Sequence, residues 1–283
     1  MADAPPEPAT TPEGLVAQLV ALLDVEEIDT DLYRGARKPG GVGRVFGGQV
    51  IAQALQAAQR SVEGEKAAHS LHAYFMRPGD ENHPIIYRVV RDFEGRSFAN
   101  RRVIAMQKGQ PILNMTASFQ TPSEGLHHQD AMPDVPDPDT LRSETELREE
   151  IRDQVPEKLR RYFLHARPIE IRPVNPRNWF RPEKQEAVQH SWFRVAAPLP
   201  DDPALHRAML TYATDMTLLG TCMMPHGVTW MSGKVQTASL DHAVWLPADQ
   251  PFMDAAKGLI VCELEGWDQS YGIGVEVAEF EKA

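Results

Sequence analysis

The sequence predicts an α+β protein in which one architecture occurs twice, a long central helix lying in an antiparallel sheet. Three observations carry this. A helix of small residues at 46–62 precedes four closely spaced strand patterns. A stretch of Pro, Asp, His and Ser at 121–138 then marks a linker, and a second apolar helix at 203–219 is again followed by strand-like sequence. At 283 residues the chain has room for two domains of ordinary size.

Residues 1–14 (MADAPPEPATTPEG) combine Pro, Ala and Thr with no basic or apolar stretch, and read as a disordered leader rather than a signal peptide. Leu15, Leu19, Leu22 and Leu23 recur at helical spacing over 14–24. In the helix at 46–62, Ile51, Ala54, Leu55, Ala58 and Val62 share one face, while Ala52 and Ala57 keep the flanks thin enough for close approach to a sheet. Strands are expected at 69–77, 84–91, 97–107 and 111–120, with a hairpin at Gly109. The first unit thus spans 15–121.

The segment 122–166 is expected to hold the linker and one charged helix at 141–164. Its acidic residues come early (Glu144, Glu146, Glu149, Glu150) and its basic ones late (Lys158, Arg160, Arg161), in keeping with the helix dipole. The second unit, 167–283, repeats the order of the first: strands at 169–174 and 189–195, a helix at 203–219 bounded by Pro203 and Gly220, and a strand at 234–245. Beyond Trp245 the pattern weakens, although 258–264 is strand-like.

Composition bounds the function. A net charge of −11 argues against a broad nucleic-acid surface, which needs clustered Lys and Arg. No apolar run approaches the roughly 20 residues that span a bilayer. Cys222 and Cys262 sit in apolar surroundings and read as free thiols in a reducing compartment, so the cytoplasm is the expected location. No metal site is expected, because His127 and His128 have no Cys or carboxylate set at ligand spacing. The run from Gly227 to Lys234 is too long for a phosphate loop and is followed by Val235 rather than Ser or Thr.

Two residues stand out chemically. Asp215 lies in the last turn of the second long helix, where the dipole disfavours a carboxylate, and a residue placed against a local preference is a functional candidate. Ser239 lies 24 residues further on in ASLDHAVW, where alternation puts Ser239 and Asp241 on one face and Ala238, Leu240 and His242 on the other. No Gly-x-Ser-x-Gly elbow surrounds it. His72 and Tyr74 share a strand face and read as packing or channel residues.

The motifs RVFGGQVIAQAL, HSLHAYFMRPGD, FEGRSFANRRV, QPILNMTASFQ, TYATDMTLLG and ASLDHAVW, in this order, resemble the type II acyl-CoA thioesterases. That resemblance implies a double hotdog fold, two curled antiparallel sheets each wrapping a long central helix. It also implies hydrolysis of fatty acyl-CoA to free acid and CoA with no cofactor. Asp215 and Ser239 would orient a water, and backbone amides at Gly47 and Gly48 would receive the oxyanion. The basic cluster Arg96, Arg101 and Arg102 offers a place for CoA phosphates. A homodimer or homotetramer is a further expectation.

The family's third catalytic residue, a Gln in a Val-x-Gln-Glu-Gly run, has no clear counterpart. Gln269 is the nearest substitute, in a segment that reads as a loop. Two other functions therefore stand beside hydrolysis: an acyl-CoA-binding protein with weakened catalysis, and a hotdog enoyl-CoA hydratase, of whose pattern Asp80, Glu81, Asn82 and His83 are a partial echo.

Overall fold

The computed structural model describes residues 10–38, 40, 43–123, 133–232, 235 and 237–246, and the backbone of 258–262 and 278–282. Helix α1 (Pro12–Leu23) begins where the Thr11 side chain accepts the Gly14 N–H and Pro12 presets the first turn. It buries Val16, Leu19, Leu22 and Leu23. Strands β1 (Val25–Asp29) and β2 (Leu32–Gly35) follow. Periodicity does not reveal them, because four of the five β1 residues are exposed and three of them acidic.

Helix α2 (Gly47–Arg60) is buried without interruption from Gly48 to Ala58, so it has no solvent face. Its Gln53 is buried yet satisfied: the amide donates to the carbonyls of Leu22 (2.5 Å) and Ala36 (3.2 Å) and accepts from the Tyr87 hydroxyl (2.7 Å). Strands β3 (Ala67–Phe75), β4 (Ile85–Glu94), β5 (Phe98–Gln107) and β6 (Gln110–Gln120) match the four expected. The β5–β6 turn places Lys108 and Gly109 at φ 48° and 73°, a region glycine enters without strain.

The linker holds two short helices rather than one long one. Helix α3 (Glu144–Glu150) opens with a capping box between Ser143 and Glu146, and α4 (Glu157–Phe163) starts after Pro156. A 3-10 turn at Arg152–Gln154 lies between them, and Pro156, which disfavours a helical residue before it, leaves Val155 extended and keeps the turn from running on into α4. Both helices pack Leu147, Val155, Phe163 and Trp179 into a small satellite core.

Strands β7 (Ile169–Pro173) and β8 (Ser191–Val195) lead to α5 (Pro203–Thr214), capped at its start by Asp202. The helix stops five residues earlier than expected, and α6 (Leu218–Thr221) follows as a separate turn. Strand β9 (Asp241–Trp245) is shorter than the expected 234–245. Backbone strands β10 (Gly258–Cys262) and β11 (Ala278–Lys282) complete the set.

All pairings are antiparallel. One sheet has the order β1-β2-β4-β5-β6-β3-β9, the other β11-β10-β8-β7. The halves correspond strand by strand: β7 and β8 repeat β1 and β2, β9 repeats β3, and β10 and β11 repeat β4 and β5. Among the described residues nothing repeats β6. Strands β3 and β9 meet with Ser70 opposite Trp245 and Tyr74 opposite Asp241, so the last strand of the first sheet comes from the second half.

Helices α2 and α5 run antiparallel against each other. The Gln59 side chain, near the end of α2, donates to the Ala204 carbonyl at the start of α5 (3.2 Å), while Gly48 meets residue 215 at the opposite end. A single core extends from Leu19 and Leu55 to Phe193, Leu205 and Met209, uniting the two halves. Among the described residues no helix is long and apolar enough to cross a membrane.

Candidate active site

The N-terminus of α2 and the C-terminus of α5 meet at Asp215. This residue caps α5, and its Oδ2 accepts the Gly48 N–H at 2.8 Å across the junction of the halves. The approach depends on glycine. A Cβ on Gly47 would stand 2.6 Å from Asp215 Oδ2 and 2.9 Å from the Phe75 ring, and one on Gly48 would stand 2.5 Å from the Tyr212 carbonyl oxygen. Phe46 closes the junction with an edge-on contact to Tyr212, ring centroids 5.0 Å apart.

The electrostatics follow from this geometry. The negative end of α5 disfavours a carboxylate, but the positive end of α2 faces it and supplies an unpaired amide. Burial still dominates and pushes the Asp215 carboxyl up to about 7, with the Gly48 hydrogen bond acting in the opposite direction. Such a group is poised to exchange a proton near neutrality.

His242, on β9, completes the buried polar set. Its Nδ1 lies 3.9 Å from Asp215 Oδ1 and its Nε2 2.9 Å from the Thr214 hydroxyl. Thr214 donates its only hydroxyl proton to the Thr211 carbonyl (2.8 Å), so it accepts from His242 and fixes the tautomer with the proton on Nε2. Burial pulls the imidazole down to about 4, which keeps it neutral at pH 7. Sequence reasoning missed this residue. Its signal was the inward position it shares with Val244 in β9.

Ser239 lies two residues before β9, half-buried, outside the strand to which alternation had assigned it. Among the described residues no hydrogen bond joins it to Asp215. Gln269 lies outside the described residues, as do His127 and His128.

The glycines divide their work. The Gly48 amide is taken by the carboxylate, which makes it a holder of Asp215 rather than a free oxyanion donor. The Gly47 amide, at the first position of α2, has no acceptor among the described residues.

The expected phosphate cluster is dispersed. Arg101 is fully buried and braces the end of α2, donating to the Ser61 hydroxyl (2.9 Å), the Ser61 carbonyl (3.1 Å) and the Phe93 carbonyl (2.9 Å), and pairing with Glu94. This corrects its assignment to phosphate. Arg102 is held by Asp92 at 3.0 Å on the outer sheet face, and Arg96 is exposed in the β4–β5 turn. His72 and Tyr74 are likewise exposed, their rings 4.7 Å apart, and are not packing residues. Asp80, His83 and Lys108 form a surface ion cluster, with contacts of 2.9 and 3.2 Å from Asp80. Cys222 is a free, partly buried thiol that donates to the Leu219 carbonyl.

Two similar halves, antiparallel central helices and a buried acid where they meet define a double hotdog protein. A hotdog-fold structure from Alicyclobacillus acidocaldarius superposes with a TM-score of 0.69 at 21% identity over 89% of this chain, which supports the fold. Family models described as "acyl-CoA thioesterase N-terminal domain" and "acyl-CoA thioesterase" match residues 36–120 and 158–253. Acyl-CoA thioesterase 2 of Haemophilus influenzae is 37% identical over 82% of this chain and 81% of its own length. Acyl-coenzyme A thioesterase 8 of Homo sapiens is 34% identical over 92% and 87%. The crystal structure of an acyl-CoA thioesterase II from Mycobacterium marinum superposes with a TM-score of 0.67 at 36% identity, covering 88% of this chain and 86% of that one. The chain belongs to the acyl-CoA thioesterase family.

Proposed function

We propose that this protein hydrolyses fatty acyl-CoA to the free acid and CoA at Asp215, through a water rather than an acyl-enzyme. The observation that carries the reading is a buried carboxyl, poised at about 7, held at the N-terminus of α2 by the Gly48 amide with the Gly47 amide next to it. With Oδ2 held by Gly48, Oδ1 is left to take a proton from the attacking water. Ser239 helps orient that water. The oxygen adds to the thioester carbonyl carbon, and the charge on the carbonyl oxygen is received at the Gly47 amide and the α2 dipole. Collapse of the adduct breaks the C–S bond. The departing thiol has a pKa of about 8.5, so it leaves with little help from a general acid.

His242 acts as a neutral positioning group that fixes Thr214 and the end of α5. The free thiol of Cys222 accords with action in the cytoplasm. Assembly into a homodimer or homotetramer stays an inference from resemblance, to be read by light scattering.

The test is thiol release from a series of acyl-CoA chain lengths. We expect Asp215→Ala to lower kcat by about 10² or more, as loss of a general base does, and Ser239→Ala to lower it less. In the parent, kcat/KM should rise with pH through about 7 as the carboxyl ionises. Hydrolysis indifferent to Asp215→Ala would sink this site. Binding without turnover would point instead to an acyl-CoA-binding protein, and water addition to an enoyl-CoA to a hydratase.

A further inference from the structure

His242 does more than brace the end of α5. Its place is set by the sheet: in the β3–β9 pairing it stands opposite Ala73, and both residues face the interior. A single methyl group across the strand pair leaves the imidazole room to turn toward the end of α5. There Nε2 meets the Thr214 hydroxyl at 2.9 Å, and the proton of that hydroxyl is committed to the Thr211 carbonyl at 2.8 Å. With the imidazole proton fixed on Nε2, Nδ1 carries a lone pair. Among the described residues no hydrogen bond reaches it.

That lone pair lies 3.9 Å from Asp215 Oδ1, too far for a direct hydrogen bond. Oδ2 already accepts the Gly48 N–H at 2.8 Å, so Oδ1 is the free oxygen of the carboxylate. Once Asp215 is ionised, two acceptors therefore stand side by side with no donor between them. An atom at ordinary hydrogen-bond length from both, about 2.8 Å, would sit roughly 2 Å to one side of the line that joins them. The occupant that satisfies both must bring two donor hydrogens from one small atom, which a water does and a hydroxyl group does not. The Asp215 side chain keeps 9% of its surface open against 1% for His242, so the gap is approached from the Asp215 side.

We propose that His242 is a catalytic residue whose Nδ1 accepts one hydrogen of the attacking water while Asp215 Oδ1 accepts the other. This rests on the thioesterase reading above, and it gives the site a second acceptor on β9 itself, independent of the glutamine that the family resemblance implies. The two hydrogens have different fates. The one on Oδ1 passes to Asp215 as the water oxygen uses a lone pair to form the C–O bond. The one on Nδ1 stays on that oxygen and becomes the hydroxyl of the adduct, then of the released acid, while the C–S electron pair leaves on sulfur. The imidazole remains neutral throughout: burial makes it a weak base but leaves its lone pair able to accept. By holding the second hydrogen, His242 fixes which lone pair of the water faces the thioester carbon.

Asparagine and glutamine separate the two nitrogens, because the shorter amide places a polar atom near the position of Nδ1 and the longer one near that of Nε2. Thiol release from an acyl-CoA and thermal melts are measured on the full chain carrying His242→Gln, His242→Asn or His242→Ala. The Gln variant keeps a donor for Thr214 and loses the acceptor for the water, so its kcat should fall about tenfold, as for one lost hydrogen bond, with KM and melting temperature near those of the parent. The Ala variant loses both contacts. The Asn variant regains the acceptor alone, and should turn over several-fold faster than the Ala variant while melting as low. Parental kcat in the Gln variant, an Asn variant as slow as Ala, or a kcat that simply follows melting temperature across the three overturns the role. Should the Asn variant not fold, the Gln variant decides by its kcat at unchanged KM. Failure of the underlying reading looks different: a parent that releases no thiol, or one indifferent to Asp215→Ala, overturns hydrolysis at this site whatever the His242 variants do.

Discussion

At the scale of single residues, Asp215 and His242 couple the site to pH in opposite senses. Burial raises the folded-state pKa of Asp215 from 3.8 to about 7, so the stability this group contributes is full below 3.8 and is lost as pH rises through about 7. His242 is pulled from 6.5 to about 4, so its contribution is present above 6.5 and lost as pH falls toward 4. Between those limits the two slopes oppose each other. Asp215→Asn removes one of them. We expect this variant to be inactive yet more stable than the parent at pH 8, by on the order of a few kcal/mol, and little changed at pH 4. Urea melts at the two pH values measure it, and a variant less stable at pH 8 would count against burial as the cause of the shift. Asp215 was legible in the sequence as a carboxylate set against its own helix dipole. Its partner amide was not, since Gly48 lies 167 positions away and only the packing of α2 on α5 brings it near. His242 escaped because alternation was counted from Ala238 and Leu240, which precede the strand and are exposed.

At the scale of elements, the antiparallel contact of α2 and α5 makes the site, and its tightest point is Gly48. A methyl group there meets the Tyr212 carbonyl, part of a helix backbone that cannot rotate away. Gly48→Ala should cost about 1–3 kcal/mol through overpacking and should also lower kcat, because the displaced amide no longer holds Asp215. Thermal melts and thiol release read the two effects, and a stable, fully active variant would show that the helices separate freely. The elements most legible in the sequence were those with strong periodicity or alternation, namely α1, α2 and β3 to β6. β1 was hidden by its exposed acidic residues. The linker helix was overextended because its favourable charge gradient runs on past Pro156, which in the chain leaves Val155 extended and separates α4 from the turn before it. The helix at 203–219 likewise ran on in the apolar pattern through Leu218 and Leu219, which belong instead to the separate turn α6.

At the scale of the whole molecule, the two halves are related but no longer equivalent. Asp215 caps α5, and the residue in the same place on α2 is Ser61. Where the second half brings Asp215 to the start of α2, the end of α2 is held by the Arg101 guanidinium, bound to the Ser61 hydroxyl and carbonyl. Nothing in local sequence announced this, because Arg101 read as one of three neighbouring surface cations. The seat of a carboxylate at one end is thus the seat of a buried cation at the other. The consequence is one of stoichiometry. A duplicated fold with two open junctions would bind two substrate molecules, whereas this chain should titrate with one. Calorimetry of Asp215→Asn with a non-hydrolysed long-chain acyl-CoA should give one equivalent per chain, and two equivalents would mean that the Arg101 end still admits a ligand. Each chain would then carry a single substrate site, with the Arg101 end of α2 given over to the core.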